Sequence, residues 1–135
     1  MANALYDKGR EGFLDGTIDW DTNDIRVILV DVADYTVDLA AHDNLDDVAA
    51  GARVAVSGAL SNKTVTNGVA DADNGTFSAV TGDVSEALVI YKHTGTESTS
   101  RLIAYIDTAT GLPVTPNGGD ITVAWDNGAN KIFKL

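Results

Sequence analysis

The chain is 135 residues long, 44% apolar and 21% charged, a size at which one domain hides roughly two-thirds of its unfolded surface. Twenty acidic residues against nine basic ones leave a formal charge of −11, which opposes phosphate backbones and anionic bilayers and argues against nucleic-acid and membrane partners. There is no cysteine, so disulfides, thiolate metal sites and cysteine nucleophiles are excluded.

The first element is a helix candidate from Ala2 to Leu14, in which Ala4, Leu5, Phe13 and Leu14 form a partial apolar face and Gly16 is the stop. Gly9 and Gly12 weaken it by roughly 1 kcal/mol each relative to alanine. So short a helix must pack on the domain body or on a neighbouring subunit. Asp7, Lys8, Arg10 and Glu11 interrupt any signal-peptide core, and the expectation is synthesis in the cytoplasm without export. Residues 1–16 are thus read as a helical N-terminal segment and residues 17–135 as the β body of a single domain.

"TIDWDTND" (Thr17–Asp24) is a polar connection into "IRVILVDV" (Ile25–Val32), the strongest strand signal. Ile25, Val27 and Leu29 share one face and Arg26, Ile28 and Val30 the other, the pattern of a central strand covered on both sides. Its longest aliphatic run, Val27–Val30, is far too short to span a bilayer. Asp34–Gly51 is less regular, and its Asp38–Val48 portion reads as a short helix or an acidic loop. From Ala52 on, strands are expected in "RVAVSGALS", "KTVTNGVADA", "TFSAVT", "EALVIYKHT", "SRLIAYIDT", "DITVAW" and "KIFKL". Asn-Gly pairs at 67–68, 74–75 and 127–128 punctuate them, and such pairs suit tight hairpins. The last two strands read as a closing hairpin around Asn127-Gly128. "TGLPVTPNGG" carries both prolines and is a loop or edge segment. The expected fold is mainly β: an antiparallel β-sandwich or jelly-roll-like barrel with a short N-terminal helical segment.

Chemistry is sparse. Asp19, Asp21 and Asn23 begin like a calcium loop, but Asp24 stands where the turn glycine belongs and Val30 where the bidentate glutamate belongs. That excludes an EF-hand and leaves open an irregular calcium site at Asp19–Asp24; a solvated turn is the preferred reading. Asp71–Gly75 reads as a hairpin tip. His42 and His93 lie in no metal or catalytic spacing, and no serine sits in a nucleophile elbow. Carboxylate pairs abound by composition alone, and no glycine loop cradles phosphate. No enzyme and no cofactor is expected. The aromatics fall mostly in or beside strands, where core packing is the default. Tyr6 and Phe13 belong to the N-terminal segment, whose amphipathic, peripheral character nominates Leu5, Tyr6, Arg10, Phe13 and Leu14 as contacts to a neighbouring protein. A helix capping the sandwich from within is the competing reading, and the stronger one.

With these residues in view, the chain resembles a family of small structural proteins of tailed bacteriophages. The likeness runs through "MANALYDKGREGFLDGTIDWDTNDIRVILVDVADYTVDLA", "HDNLDDVAAGARVAVSGALSNKTV" and "LIAYIDTATGLPVTPNGGDITVAWDNGANKIFKL". It implies a virion part, most simply a capsid decoration (cement) protein on the outer head surface. The implied partner is the major capsid protein, the implied self-association a homotrimer, and the implied role bracing the shell with no cofactor. The same resemblance also admits a neck, collar or tail-associated component. A sugar- or calcium-binding module for the host surface is the alternative from another class.

Overall fold

The computed structural model describes residues 3–135. In chain order its elements are β1 (Ala4–Leu5), α1 (Asp7–Asp15), β2 (Ile25–Val30), β3 (Arg53–Val56), β4 (Thr64–Thr66), β5 (Val69–Asp71), β6 (Gly75–Phe77), β7 (Ala87–Lys92), β8 (Leu102–Ile106), β9 (Ile121–Val123) and β10 (Phe133–Lys134). The mainly β fold with one short helix near its N-terminus is the expected class. All the strand pairings are antiparallel.

The main sheet runs β1-β8-β7-β2-β3. Its centre is the β2–β7 ladder, six residues long and in register from Ile25–Lys92 to Val30–Ala87. Alternation sends Val27, Leu29, Leu88 and Ile90 into one core and Ile28, Val30, Ala87 and Val89 into the other. Both faces are therefore dry, as the near-continuous apolar run of β2 predicts. Each fully buried aliphatic side chain contributes about 1.5–3 kcal/mol relative to exposure, which makes this ladder the thermodynamic centre of the molecule.

The two faces are covered differently. On the first, two smaller sheets, β10-β5-β4 and β6-β9, bring Ala70 and Phe77 onto the core, giving the sheet-on-sheet layering of a sandwich. On the second, the long connection between β2 and β3 supplies Tyr35, Leu45, Val48 and Ala52 without forming a strand. Within the Asp38–Val48 stretch the regular structure is a single 3₁₀ turn, Leu45–Asp47. Arg53 staples this connection in place: its guanidinium donates to the carbonyls of Val48 (2.7 Å) and Leu45 (3.1 Å) and pairs with Glu97.

The Asn67-Gly68 pair makes the expected tight hairpin between β4 and β5, both residues at positive φ (+54° and +78°). The closing hairpin is not formed. β9 pairs with β6 and β10 with β5, so the two last strands join different sheets. An Asn-Gly pair specifies a local bend and leaves the choice of partner strand to packing. Phe133 in β10 is drawn to Trp20 and Phe13, with ring centroids 5.2 and 5.7 Å away.

The N-terminal segment is built into the sheet. β1 pairs with β8, and the Tyr6 N–H donates to Ile103 O at 2.9 Å. Helix α1 follows at once and ends at Gly16, φ +82°. It buries its two glycines. A Cβ at Gly9 would lie 2.8 Å from the carbonyl oxygens of Leu102 and Ile103, and one at Gly12 2.5 Å from the Ile18 side chain. The helix backbone thus lies directly on β8, an approach a Cβ at Gly9 would block. Among the described residues no helix is long and apolar enough to cross a membrane.

Where α1 meets the second core, the Tyr6 and Tyr35 hydroxyls lie 2.8 Å apart, and Tyr35 continues 2.8 Å to His42 Nδ1. Burial pushes the Tyr35 hydroxyl up to about 12 and that of Tyr6 higher still. Both phenols stay neutral and hydrogen-bonded.

Two outcomes follow. Gly9→Ala, although better for helix propensity, is expected to lose about 1–3 kcal/mol in urea unfolding because its methyl meets backbone. Gly51→Ala, with open space at its Cβ, serves as the near-neutral control. Tyr35→Phe leaves the Tyr6 hydroxyl buried without its partner and should cost about 1–3 kcal/mol. Tyr6→Phe leaves Tyr35 its bond to His42 and should cost less; the same unfolding series reads both.

Candidate functional site

The five nominated contact residues separate on folding. Leu5 and Tyr6 are buried, Leu5 in the first core and Tyr6 in the second. They are corrected from contact surface to interior, because the strand pairing of Leu5 and the backbone bond of Tyr6 to β8 pull both inward. Phe13 is half-buried and packs on Phe133. Arg10 is exposed and donates to Leu5 O (3.1 Å) and Asp7 Oδ1 (3.2 Å), closing the first turn of α1. Leu14, at 89% exposure, is left in solvent at the end of the helix.

Next to Leu14 in sequence, Phe13 joins Ile18, Trp20, Val69 and Phe133 in lining an open groove of about 360 Å³, with Val65 and Leu135 also in its lining. Val65 is 56% exposed and Leu135 59%. Elsewhere large side chains at such exposure are ordinary, but two around one apolar groove form a patch that water solvates poorly. The local causes are plain. Val65 sits between two threonines on the edge strand β4, on the same face as its partner Ala70, where the groove leaves it exposed. Trp20 donates its indole N–H to Asp71 O at 3.0 Å, which fixes the groove wall to β5. The Leu135 N–H donates to Gly68 O at 3.0 Å, which ties the far side to the hairpin. Sequence reading found Phe13 and Leu14 through the amphipathic helix. Val65, Val69 and Leu135 come from a hairpin some fifty residues on and from the last strand, and only the polar–apolar–polar alternation of "TVT" hints at Val65.

The acidic loop takes the shape of a solvated turn. Asn23 Oδ1 accepts the Asp19 N–H at 2.8 Å. The hydrogen bond between the Asp19 and Asp21 carboxyls, helped on the Asp19 side by Thr22, lowers Asp19 and raises Asp21. Asp24 is held by Arg26 through two bonds of 3.0 and 2.9 Å, and the guanidinium lowers its carboxyl. With Asp24 committed to Arg26, the sextet does not gather its oxygens around one point. Carboxylates do converge elsewhere, as Asp31–Asp34–Asp83 and Asp43–Asp46–Asp47. One oxygen from each of three side chains is well short of the six to eight that calcium takes. Asp31 and Asp47 also cap their own turns, accepting from the Ala33 and Asp43 N–H groups. His42 and His93 each bond to a tyrosine hydroxyl, Tyr35 at 2.8 Å and Tyr91 at 3.3 Å; both are placed as ends of tyrosine networks rather than beside a nucleophile.

Neither a scan against protein-family models nor a search of the curated proteins finds a match for this chain.

The Arg26–Asp24 pair makes a pH-dependent contribution whose sign is fixed by the lowered Asp24 carboxyl. The stabilisation is fully present above the unfolded carboxylate value, near 3.9, and is lost as pH falls through the lower folded value. Arg26→Ala is expected to cost no more than about 1 kcal/mol at pH 7, the pair being partly solvated. In urea titrations from pH 7 to pH 2 the gap between variant and wild type should close at the acid end.

Proposed function

We propose that this chain is a non-enzymatic virion structural protein of a tailed bacteriophage, a decoration protein that docks on the outer head surface and braces the major capsid protein. The carrying observation is the apolar patch of Val65 and Leu135 around the groove that Phe13 of α1 helps to line, on a molecule of charge −11. Of the residues that the amphipathic N-terminal segment nominates, Phe13 lines this groove, and Val65 and Leu135 join it there from other parts of the chain. Such a surface suits a protein partner, and the surrounding acidity suits a partner with a basic rim.

Decoration demands complementarity repeated many times and little else. A modest contact becomes firm when several copies act together, which is how a homotrimer at a threefold position would hold. The exposed edge of β4 adds a second reason for assembly, since an unpaired strand edge is a liability in a free monomer.

Two measurements test the reading. Quantitative mass spectrometry of purified virions should give a copy number approaching one per major capsid protein. A handful to a few dozen copies would move the protein to the neck or tail, and absence would overturn both placements. Val65→Asp and Leu135→Asp, both on exposed side chains, should leave the melting temperature within about 2 °C of wild type, as surface changes usually do. Either should lower virion occupancy at least severalfold, and unchanged occupancy would remove the groove from the interface.

A further inference from the structure

A second cleft lies across β10 from the apolar groove and differs from it in chemistry. Its volume is about 500 Å³, within the range of small-molecule sites. Ile106 contributes to an aliphatic floor, while Thr108, Thr110, Trp125, Asp126 and Lys131 supply aromatic, hydroxyl, carboxylate and ammonium groups. From these groups we infer that the cleft binds a neutral saccharide, one pyranose ring stacked on Trp125 with its hydroxyls shared between Asp126 and Lys131.

The placement of each group supports that assignment. Trp125 donates its indole N–H to Asp73 O at 3.0 Å, so the ring is fixed and offers the cleft only carbon surface. A rigid indole with no polar edge left to satisfy is what a pyranose presents its C–H face to. Asp126 uses Oδ1 to accept the Gly128 N–H at 3.0 Å, and among the described residues its Oδ2 makes no hydrogen bond. Lys131 Nζ lies 3.5 Å from Asn127 O, the outer limit of a hydrogen bond. A carboxylate accepts and an ammonium donates. Adjacent sugar hydroxyls, each both donor and acceptor, satisfy the two at once, whereas a purely anionic or purely cationic ligand would meet one with repulsion.

The backbone adds an independent indication. Lys131 has φ +46°, in the left-handed region where glycine and asparagine are comfortable and lysine is not. Keeping a long cationic side chain on such a backbone is a cost borne at sites where that side chain is used. Asn130 precedes it, so the residue type better suited to the conformation stands one position away from it. The inference does not rest on the docking role of the apolar groove, whose lining is separate.

The test is a nitrogen-15 NMR titration of the full chain with methyl glycosides of glucose, galactose, mannose and N-acetylglucosamine and with their β1,4-linked disaccharides. The two tryptophans give two indole N–H signals. At least one sugar is expected to shift that of Trp125 saturably while that of Trp20, in the other groove, stays in place. Lys131→Asn, which suits the backbone, and Asp126→Asn, which keeps the bond to Gly128, should each weaken binding at least tenfold with folding intact. No shift of Trp125 with any of these sugars would overturn the proposal. So would a shift shared equally by Trp20, or one that both variants retain.

Discussion

Everything in this molecule depends on the β2–β7 ladder being dry on both faces. A sheet wet on one side needs one cover; this one needs two, and the chain makes them by different means. Two small sheets close one side, while the other is closed by a connection with almost no regular structure, held by the Arg53 guanidinium and by the tyrosine relay at Tyr6 and Tyr35. Polar side chains are thus used where backbone ladders are missing, since a buried irregular segment must find hydrogen-bond partners outside itself.

The groove and the cleft are products of that first cover. Short sheets of two and three strands cannot seal a five-stranded face, and the gaps at their margins are the two concavities. They meet at the start of β10, where Phe133 lines the apolar groove and Ile132, just before the strand, lines the polar cleft. The paired indoles have related roles, each anchored by its N–H to a carbonyl near the end of β5, at Asp71 and Asp73.

Legibility in the sequence followed the range of the forces involved. β2 was readable because its burial on both faces is written in consecutive residues, and the β4–β5 hairpin because Asn67-Gly68 encodes its turn locally. The closing hairpin was misread for the same reason: Asn127-Gly128 carries the local signal, and the partner strands were chosen by distant aromatics. Gly9 and Gly12 counted against a helix on propensity, yet Gly9 is what lets the helix reach the carbonyls of β8. Tyr6 looked peripheral because it precedes a helix. A single backbone bond to Ile103 sends it inside. Of the groove's lining, Phe13 was visible from helical periodicity, while Val65 and Leu135 join it only through tertiary folding.

The pairing of β1 with β8 has a consequence for how the protein is made. Ala4 meets Tyr105 about 100 residues later in the chain, so during synthesis this segment has no strand partner until the intervening polypeptide has followed. At translation speeds of roughly 5–20 residues per second the wait is on the order of 5–20 seconds. During that interval Leu5, Tyr6, Phe13 and Leu14 are all bare. The segment's two glycines, each unfavourable to an isolated helix, keep it pliable until β8 arrives to receive it.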